Sequence, residues 1–247
     1  MLGASGKASD SGISRFAPRS QQFCRLHMKP SSNSYIPALR YVWLTRFYDL
    51  VVRLTTRETT FKRALLQQGG LQDGHRILDL GCGTGTLALL VKRAHGGAEV
   101  FGLDADTVAL NLARKKLEAA GVEVRLDQGL ASTLPYRAES FDRVLSSLFF
   151  HHLSSIVKLE VMREVLRVLV PGGEVHIADW GKPTNPLMRL AFVGVQLLDG
   201  FVTTADNVHG RLPDLLGLAG FEKVETANCF SSPLGTISLY RARRPTA

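Results

Sequence analysis

The chain has 247 residues, 45% of them hydrophobic and 21% charged, which suits one sizeable α/β domain or one domain with a small extension. A formal charge of +8 first suggests nucleic acid or an anionic surface as partner, but Lys7, Arg15, Arg19 and Arg25 against Asp10 carry +3 before Met28, and Arg241, Arg243 and Arg244 carry +3 at the other end, so solvated termini rather than a basic groove are expected. Cys24, Cys82 and Cys229 are scattered and odd in number, which argues against a disulfide scaffold and a structural zinc site and suits a reducing compartment.

Residues 1–30 read as an extension, with 31–247 as a single domain. The first 27 residues are rich in Ser, Gly and Arg, with one acid and no apolar run, so they are not a secretory signal. A disordered extension, a transit peptide and residues upstream of a start at Met28 all fit. The expected location is accordingly the cytoplasm, or the mitochondrion if the extension is a transit peptide. Residues 31–70 are expected to form a helical cap, with apolar residues at helical spacing over 41–53 and a second helix over 59–68 that ends at Gly69-Gly70.

Short apolar runs then alternate with helical patterns. Strands are expected at 76–80, 100–103, 122–127, 141–147 and 174–179, and helices at 86–94, 107–120 and 155–169. Such alternation calls for right-handed βαβ units and a parallel sheet with helices on both faces. Strands at 221–228 and 236–241 are separated by too few residues for a parallel crossover, so they should form an antiparallel hairpin. The expected fold is a Rossmann-like, doubly wound α/β domain with a mostly parallel seven-stranded sheet. Between the fifth strand and the hairpin, residues 182–220 form an insertion carrying Leu187, Leu190, Ala191, Val193, Val195, Leu197, Leu198 and Phe201, and it reads as a lid. A helix buried on the sheet or in a dimer contact would look the same, so a homodimer is left open. Its longest apolar stretch, 190–198, is far short of the ~20 residues that cross a bilayer. No transmembrane segment is expected.

Asp79-Leu80-Gly81-Cys82-Gly83-Thr84-Gly85 joins the first strand to a helix, where glycines let a ligand approach backbone N–H groups and a helix N-terminus. The spacing departs from the Gly-x-Gly-x-x-Gly of dinucleotide folds, and no Gly-Lys-Ser/Thr follows, so nicotinamide, flavin and Walker-type phosphate binding are disfavoured. Asp79 adds a carboxylate suited to a cationic ligand. Asp104 ends the second strand.

These pieces resemble the class I S-adenosylmethionine-dependent methyltransferases, in the group that includes the ubiquinone and menaquinone C-methyltransferases. The matching residues are Ile77-Leu-Asp-Leu-Gly-Cys-Gly-Thr-Gly85, Phe101-Gly-Leu-Asp104, Leu134-Pro-Tyr136, Ser140-Phe-Asp142, Arg163-Glu-Val-Leu-Arg-Val-Leu-Val-Pro-Gly-Gly173 and Asp179-Trp-Gly-Lys-Pro183. The resemblance implies S-adenosylmethionine as cofactor, held by Asp79, Gly81, Cys82, Gly83, Gly85, Asp104, Ala105, Leu130, Ala131 and Ser147. Asp104 would accept the ribose hydroxyls, and Leu130-Ala131 would lie beside adenine. Leu130 departs from the family pattern, which has Asp or Asn there, so the adenine contact falls to backbone, Asp127, Gln128 or water.

For catalysis the candidates are His152, His151 and Asp179, at the strand ends where a substrate should sit; the histidines are equally readable as helix-capping or lining groups. Tyr48 and Trp180 are the candidate substrate contacts, and no metal is expected. His209 and Asn207 read as solvated loop residues in preference to pocket residues. The chain lacks the Asn/Asp-Pro-Pro-aromatic sequence of base-amine methyltransferases, having Ser147-Leu-Phe-Phe-His-His152 instead, so a small molecule rather than nucleic acid is the expected acceptor. The alternative is an S-adenosylmethionine-binding regulatory or assembly protein without transferase activity.

Overall fold

Hydrophobic runs that are apolar at consecutive positions become central strands, because a strand covered on both faces has no polar side to show. In the computed structural model, which describes residues 58–246, the strands are β1 (Arg76–Leu80), β2 (Glu99–Asp104), β3 (Arg125–Gln128), β4 (Phe141–Ser147), β5 (Leu169–Trp180), β6 (Glu222–Ser232) and β7 (Gly235–Arg243). They form one seven-stranded sheet of order β3-β2-β1-β4-β5-β7-β6. The first five pair in parallel, while β7 lies antiparallel between β5 and β6. The expected helix at 41–53, Tyr48 and the extension at 1–30 lie outside the described residues.

Alternation along the strands divides the core in two. Ile77 of β1 faces α1 (Glu58–Gln68), α2 (Thr86–Ala94) and α5 (Pro186–Asp199), packing with Phe61, Leu65, Leu87, Val91, Phe192 and Val195. Leu78 and Leu80 face α4 (Ser155–Val168) and α7 (Leu212–Ala219), through Val161, Met162, Val165, Leu212 and Leu216. Between β2 and β3 runs α3 (Thr107–Ala119), started by Asp106, whose side chain accepts the N–H groups of Val108 and Ala109.

Several element boundaries differ from expectation, and two of the differences have a visible local cause. β3 begins at Arg125 rather than 122, because the end of α3 consumes the intervening residues: Gly121, at φ 64°, donates to Glu118 O, and Val122 N–H donates to Leu117 O. The Pro171-Gly172-Gly173 stop sits inside β5, whose pairing with β4 jumps from Phe141–Leu169 to Arg143–Glu174. The extra residues bulge out there, with Gly172 at φ 76°.

The C-terminal charges are not a solvated tail. Arg241 and Arg243 lie in β7; Arg241 pairs with Glu225, and Arg244 pairs with Glu139 at 2.7 Å while also donating to the Arg167 and Leu169 carbonyls.

The insertion is wholly helical, consisting of α5, α6 (Phe201–His209) and α7. α5 is apolar on two sides. Phe192 and Val195 are buried, whereas Leu187, Leu190 and Leu197 are about two-thirds exposed. Among the described residues, no helix is long and apolar enough to cross a membrane.

Candidate active site

The glycine loop is held mainly by its own neighbours. Leu103 O accepts both Gly81 N–H (2.9 Å) and Cys82 N–H (3.1 Å), and Cys82 O accepts Gly85 N–H (2.9 Å). Gly83 N–H donates to Asp104 Oδ2 at 2.8 Å. The three glycines serve different ends. A Cβ on Gly81 would stand 2.4 Å from the Phe149 ring, and one on Gly85 would stand 3.0 Å from Ala113 Cβ, so both are required by packing. At Gly83 a Cβ would meet nothing within 4 Å, so only this glycine opens onto free space.

Asp79 lies beneath the loop, fully buried. Its Oδ2 accepts Ala88 N–H from α2 at 3.0 Å, and its Oδ1 has no partner. Burial raises its pKa from 3.8 to about 7, opposed by Lys62, which itself pairs with Glu58 at 2.5 Å. Cys82 turns its thiol toward Gly102 of β2, and burial pushes that thiol well above its usual range. Both its side chain and its backbone groups are thus engaged in the loop's own structure. Lys116 of α3 bridges the hydroxyls of Thr84 (2.9 Å) and Thr86 (2.8 Å), fastening loop to helix.

Asp104 is partly open. Its two oxygens hold Gly83 N–H and Asp106 N–H, and burial raises its pKa despite those bonds. A carboxylate has about four lone-pair directions, so acceptor capacity remains for a diol. Ala105 lies beside it, with its carbonyl accepting Gln128 Nε2 at 3.4 Å. Leu130 is exposed and Ala131 is half-buried against the core. Close by in sequence, Asp127 is bonded to Tyr136 (3.0 Å) and Arg125.

The second cluster stands at the ends of β4 and β5. After the half-buried Ser147, Leu148 takes φ 53°, a left-handed conformation that costs a branched residue roughly 1–2 kcal/mol. This sharp turn lays Phe149 on Gly81, which brings the following turn, Phe150–His152, beside the glycine loop. His151 is buried, and its Nδ1 meets Asp179 Oδ1 at 2.7 Å while its N–H donates to Oδ2 at 3.3 Å. His152 is half-buried, with its ring 4.0 Å from that of His151. Burial, then His151 and Lys158, push its pKa well below the usual histidine range, so it is neutral. Trp180 is buried with its ring edge-on to Phe192 at 5.3 Å and 6.4 Å from His151.

The structure also joins residues that were read otherwise or passed over. Asn207 of α6 is fully buried, not a solvated loop residue, and donates to Asp179 Oδ1 (3.4 Å) and Trp180 O (2.8 Å). Its neighbour Asp206 accepts Lys158 (3.2 Å) and Ser155 (2.6 Å) from α4. Lys158 carried a signal. It falls in register with Val161, Met162 and Val165 on the apolar side of α4, where a lysine demands a buried acceptor.

The parallel sheet with β7 slotted antiparallel beside β5, and the glycine loop answered by a carboxylate at the end of β2, define a Rossmann-like methyltransferase. Residues 77–173 match the family model described as a methyltransferase domain. The chain is 35% identical over 147 residues to a demethylmenaquinone methyltransferase of Thermus thermophilus, covering 59% of this chain and 66% of that one, just under two-thirds of the relative's length. It is 30% identical over 206 residues to a ubiquinone/menaquinone biosynthesis C-methyltransferase of Pseudomonas putida, covering 75% and 78% of the two chains. A solved methyltransferase from Aquifex aeolicus superposes with a TM-score of 0.62 at 19% identity, over 83% of this chain and 98% of that one. The chain belongs to the S-adenosylmethionine-dependent methyltransferase family.

The site fits that cofactor on its own evidence. Gly83 opens onto free space, Asp104 keeps acceptor capacity for hydroxyls, and Asp79 holds an orphaned carboxylate oxygen under the loop, suited to a nearby positive charge.

Proposed function

We propose that this protein transfers a methyl group from S-adenosylmethionine to a small apolar or aromatic acceptor of quinone-like, lipid or natural-product type. The observation that carries the reading is the buried His151–Asp179 pair with the neutral His152 ring tilted against it, set against the glycine loop by Phe149. S-adenosylmethionine supplies an electrophilic methyl group on a sulfonium. Gly83 and Asp104, bordered by Ala105, Leu130, Ala131 and Ser147, are the residues that would hold it.

The chain's own contribution is mostly positioning and exclusion of water, which can supply up to ~7–11 kcal/mol in the best cases. His151 is too buried and too committed to Asp179 to meet an acceptor. His152 is the group that takes a proton from an acceptor hydroxyl onto its ring nitrogen. Trp180 and the apolar insertion support an apolar acceptor, as do the names of the quinone methyltransferases above. Tyr48 stays assigned to the substrate side on the resemblance alone. The same reading puts the protein in the cytoplasm, acting on a small molecule and not on nucleic acid, with a homodimer left open by the exposed face of α5.

The test is incubation with methyl-labelled S-adenosylmethionine and a panel of hydroquinones, phenols and fractionated metabolites. Label is expected in an aromatic or quinol product, and His152→Ala should lower turnover while leaving cofactor binding intact. Full turnover in that variant would remove the base assignment. Cofactor binding with no labelled product from any fraction would overturn the transferase reading.

A further inference from the structure

The insertion contributes more than an apolar cover. Two consecutive residues of α6, Asp206 and Asn207, reach α4, which follows the histidine turn, and the end of β5, which carries the carboxylate partner of His151. Asp206 takes the ammonium of Lys158 and the hydroxyl of Ser155, both at the start of α4, immediately after His151-His152. Lys158 also donates to Thr203 O at 2.7 Å, so the helix is held at more than one point. Asn207 spans the Asp179–Trp180 peptide, with its Nδ2 shared between Trp180 O at 2.8 Å and Asp179 Oδ1 at 3.4 Å.

Asp179 is fully buried, and its Oδ1 gathers His151 Nδ1, Trp180 N–H and Asn207 Nδ2, while Oδ2 takes only His151 N–H. Among those donors Asn207 is the one side chain that comes from another element of the fold and does not titrate.

The 2.8 Å bond to Trp180 O ties α6 to β5, but the asparagine also carries a cost. Its Oδ1 is buried without a partner, and an unsatisfied oxygen is a cost to stability that a leucine of similar size avoids. Leucine can donate neither to Trp180 O nor to Asp179, and the second donation is the one that reaches the histidine site.

We propose that Asn207 is a positioning residue, which holds the Asp179 carboxylate on His151 and thereby couples the docking of α6 to assembly of the histidine site. The proposal rests on the functional reading above, in which that site carries out methyl transfer.

The test is Asn207→Leu in the full chain, with Asn207→Ser as the conservative variant that keeps a hydrogen-bond donor. The first readout needs no acceptor: the downfield proton resonance expected of a 2.7 Å His151–Asp179 hydrogen bond, followed by NMR. Asn207→Leu should broaden or abolish it, and Asn207→Ser should retain part of it. The second readout is kinetic, where kcat should fall about tenfold with KM for S-adenosylmethionine unchanged. In an Asp179→Asn background, Asn207→Leu should cost nothing further. A resonance that survives in Asn207→Leu overturns the proposal, and so does full turnover in a variant that has lost it. Failure of the methyltransferase reading would show separately, as a wild-type protein with an intact resonance and no methylated product.

Discussion

Asp79→Asn tests how the loop is supported electrostatically. An aspartate in an unfolded chain ionises near 3.8, whereas in the folded protein Asp79 does so near 7. Between those pH values the folded chain retains a proton that the unfolded chain has lost, so its stability falls as pH rises through that window and levels off above it. About three pH units at 1.36 kcal/mol each give a penalty on the order of 4 kcal/mol above pH 7, of which about 2.5 kcal/mol develops between pH 5 and pH 8. Asparagine keeps the acceptor for Ala88 N–H and does not titrate. The stability difference between variant and wild type should therefore move by about 2.5 kcal/mol in favour of the variant from pH 5 to pH 8, equivalent to roughly 5–10 °C in melting temperature for a domain of this size. Thermal unfolding followed by circular dichroism at four pH values measures it. The lowered pKa of His152 gives the opposite slope, but it is common to both proteins and cancels. A difference that does not change with pH would refute the assignment of a buried, near-neutral Asp79.

Three further outcomes are expected. Gly81→Ala drives a methyl into the Phe149 ring and should cost about 2–4 kcal/mol of stability, whereas Gly83→Ala adds a methyl to open space and should cost only the roughly 1–2 kcal/mol of a left-handed alanine at φ 52° while weakening S-adenosylmethionine binding, as read by calorimetry. Asp104→Ala removes the acceptor for two loop N–H groups and for any diol, so cofactor affinity should fall by more than tenfold, and equal affinity by calorimetry would count against its role. Lys158→Met strands Asp206 in the interior and should cost about 3–5 kcal/mol in denaturant melts, most of it regained in Lys158→Met/Asp206→Leu.

The sheet was legible because its signal is local. Strands apolar on both faces and helices with one apolar side announce themselves in five to fifteen residues, as β1, α2 and β4 do. Errors of extent arose where a few hydrogen bonds reassign residues, as the end of α3 did with Gly121 and Val122. The cofactor loop was legible for the same reason, although the sequence could not show that Gly81 answers to Phe149 and Gly85 to Ala113, leaving Gly83 alone to face open space. Least legible was the histidine site. His151 meets a carboxylate 28 positions away, and its support comes from Asn207, another 28 positions beyond. No periodicity encodes such pairings. Two adjacent histidines look alike until Asp179 chooses one of them.

That choice bears on the acceptor. On the proposed function the proton acceptor is His152, and burial with the neighbouring His151 and Lys158 makes it a weaker base than a free imidazole. A weak base removes a proton effectively only from a hydroxyl that is itself acidic, or in concert with transfer of the methyl group. A phenol ionises near 10, as tyrosine does, and conjugation with a carbonyl lowers that further, whereas an aliphatic alcohol lies far out of reach. On the proposed function, the low basicity of His152 therefore favours an acceptor whose hydroxyl is attached to a conjugated ring. The negative charge left on such a ring is shared between oxygen and carbon, so the same base can serve methyl transfer to either atom, and which one receives it depends on how the ring is oriented toward the methyl donor.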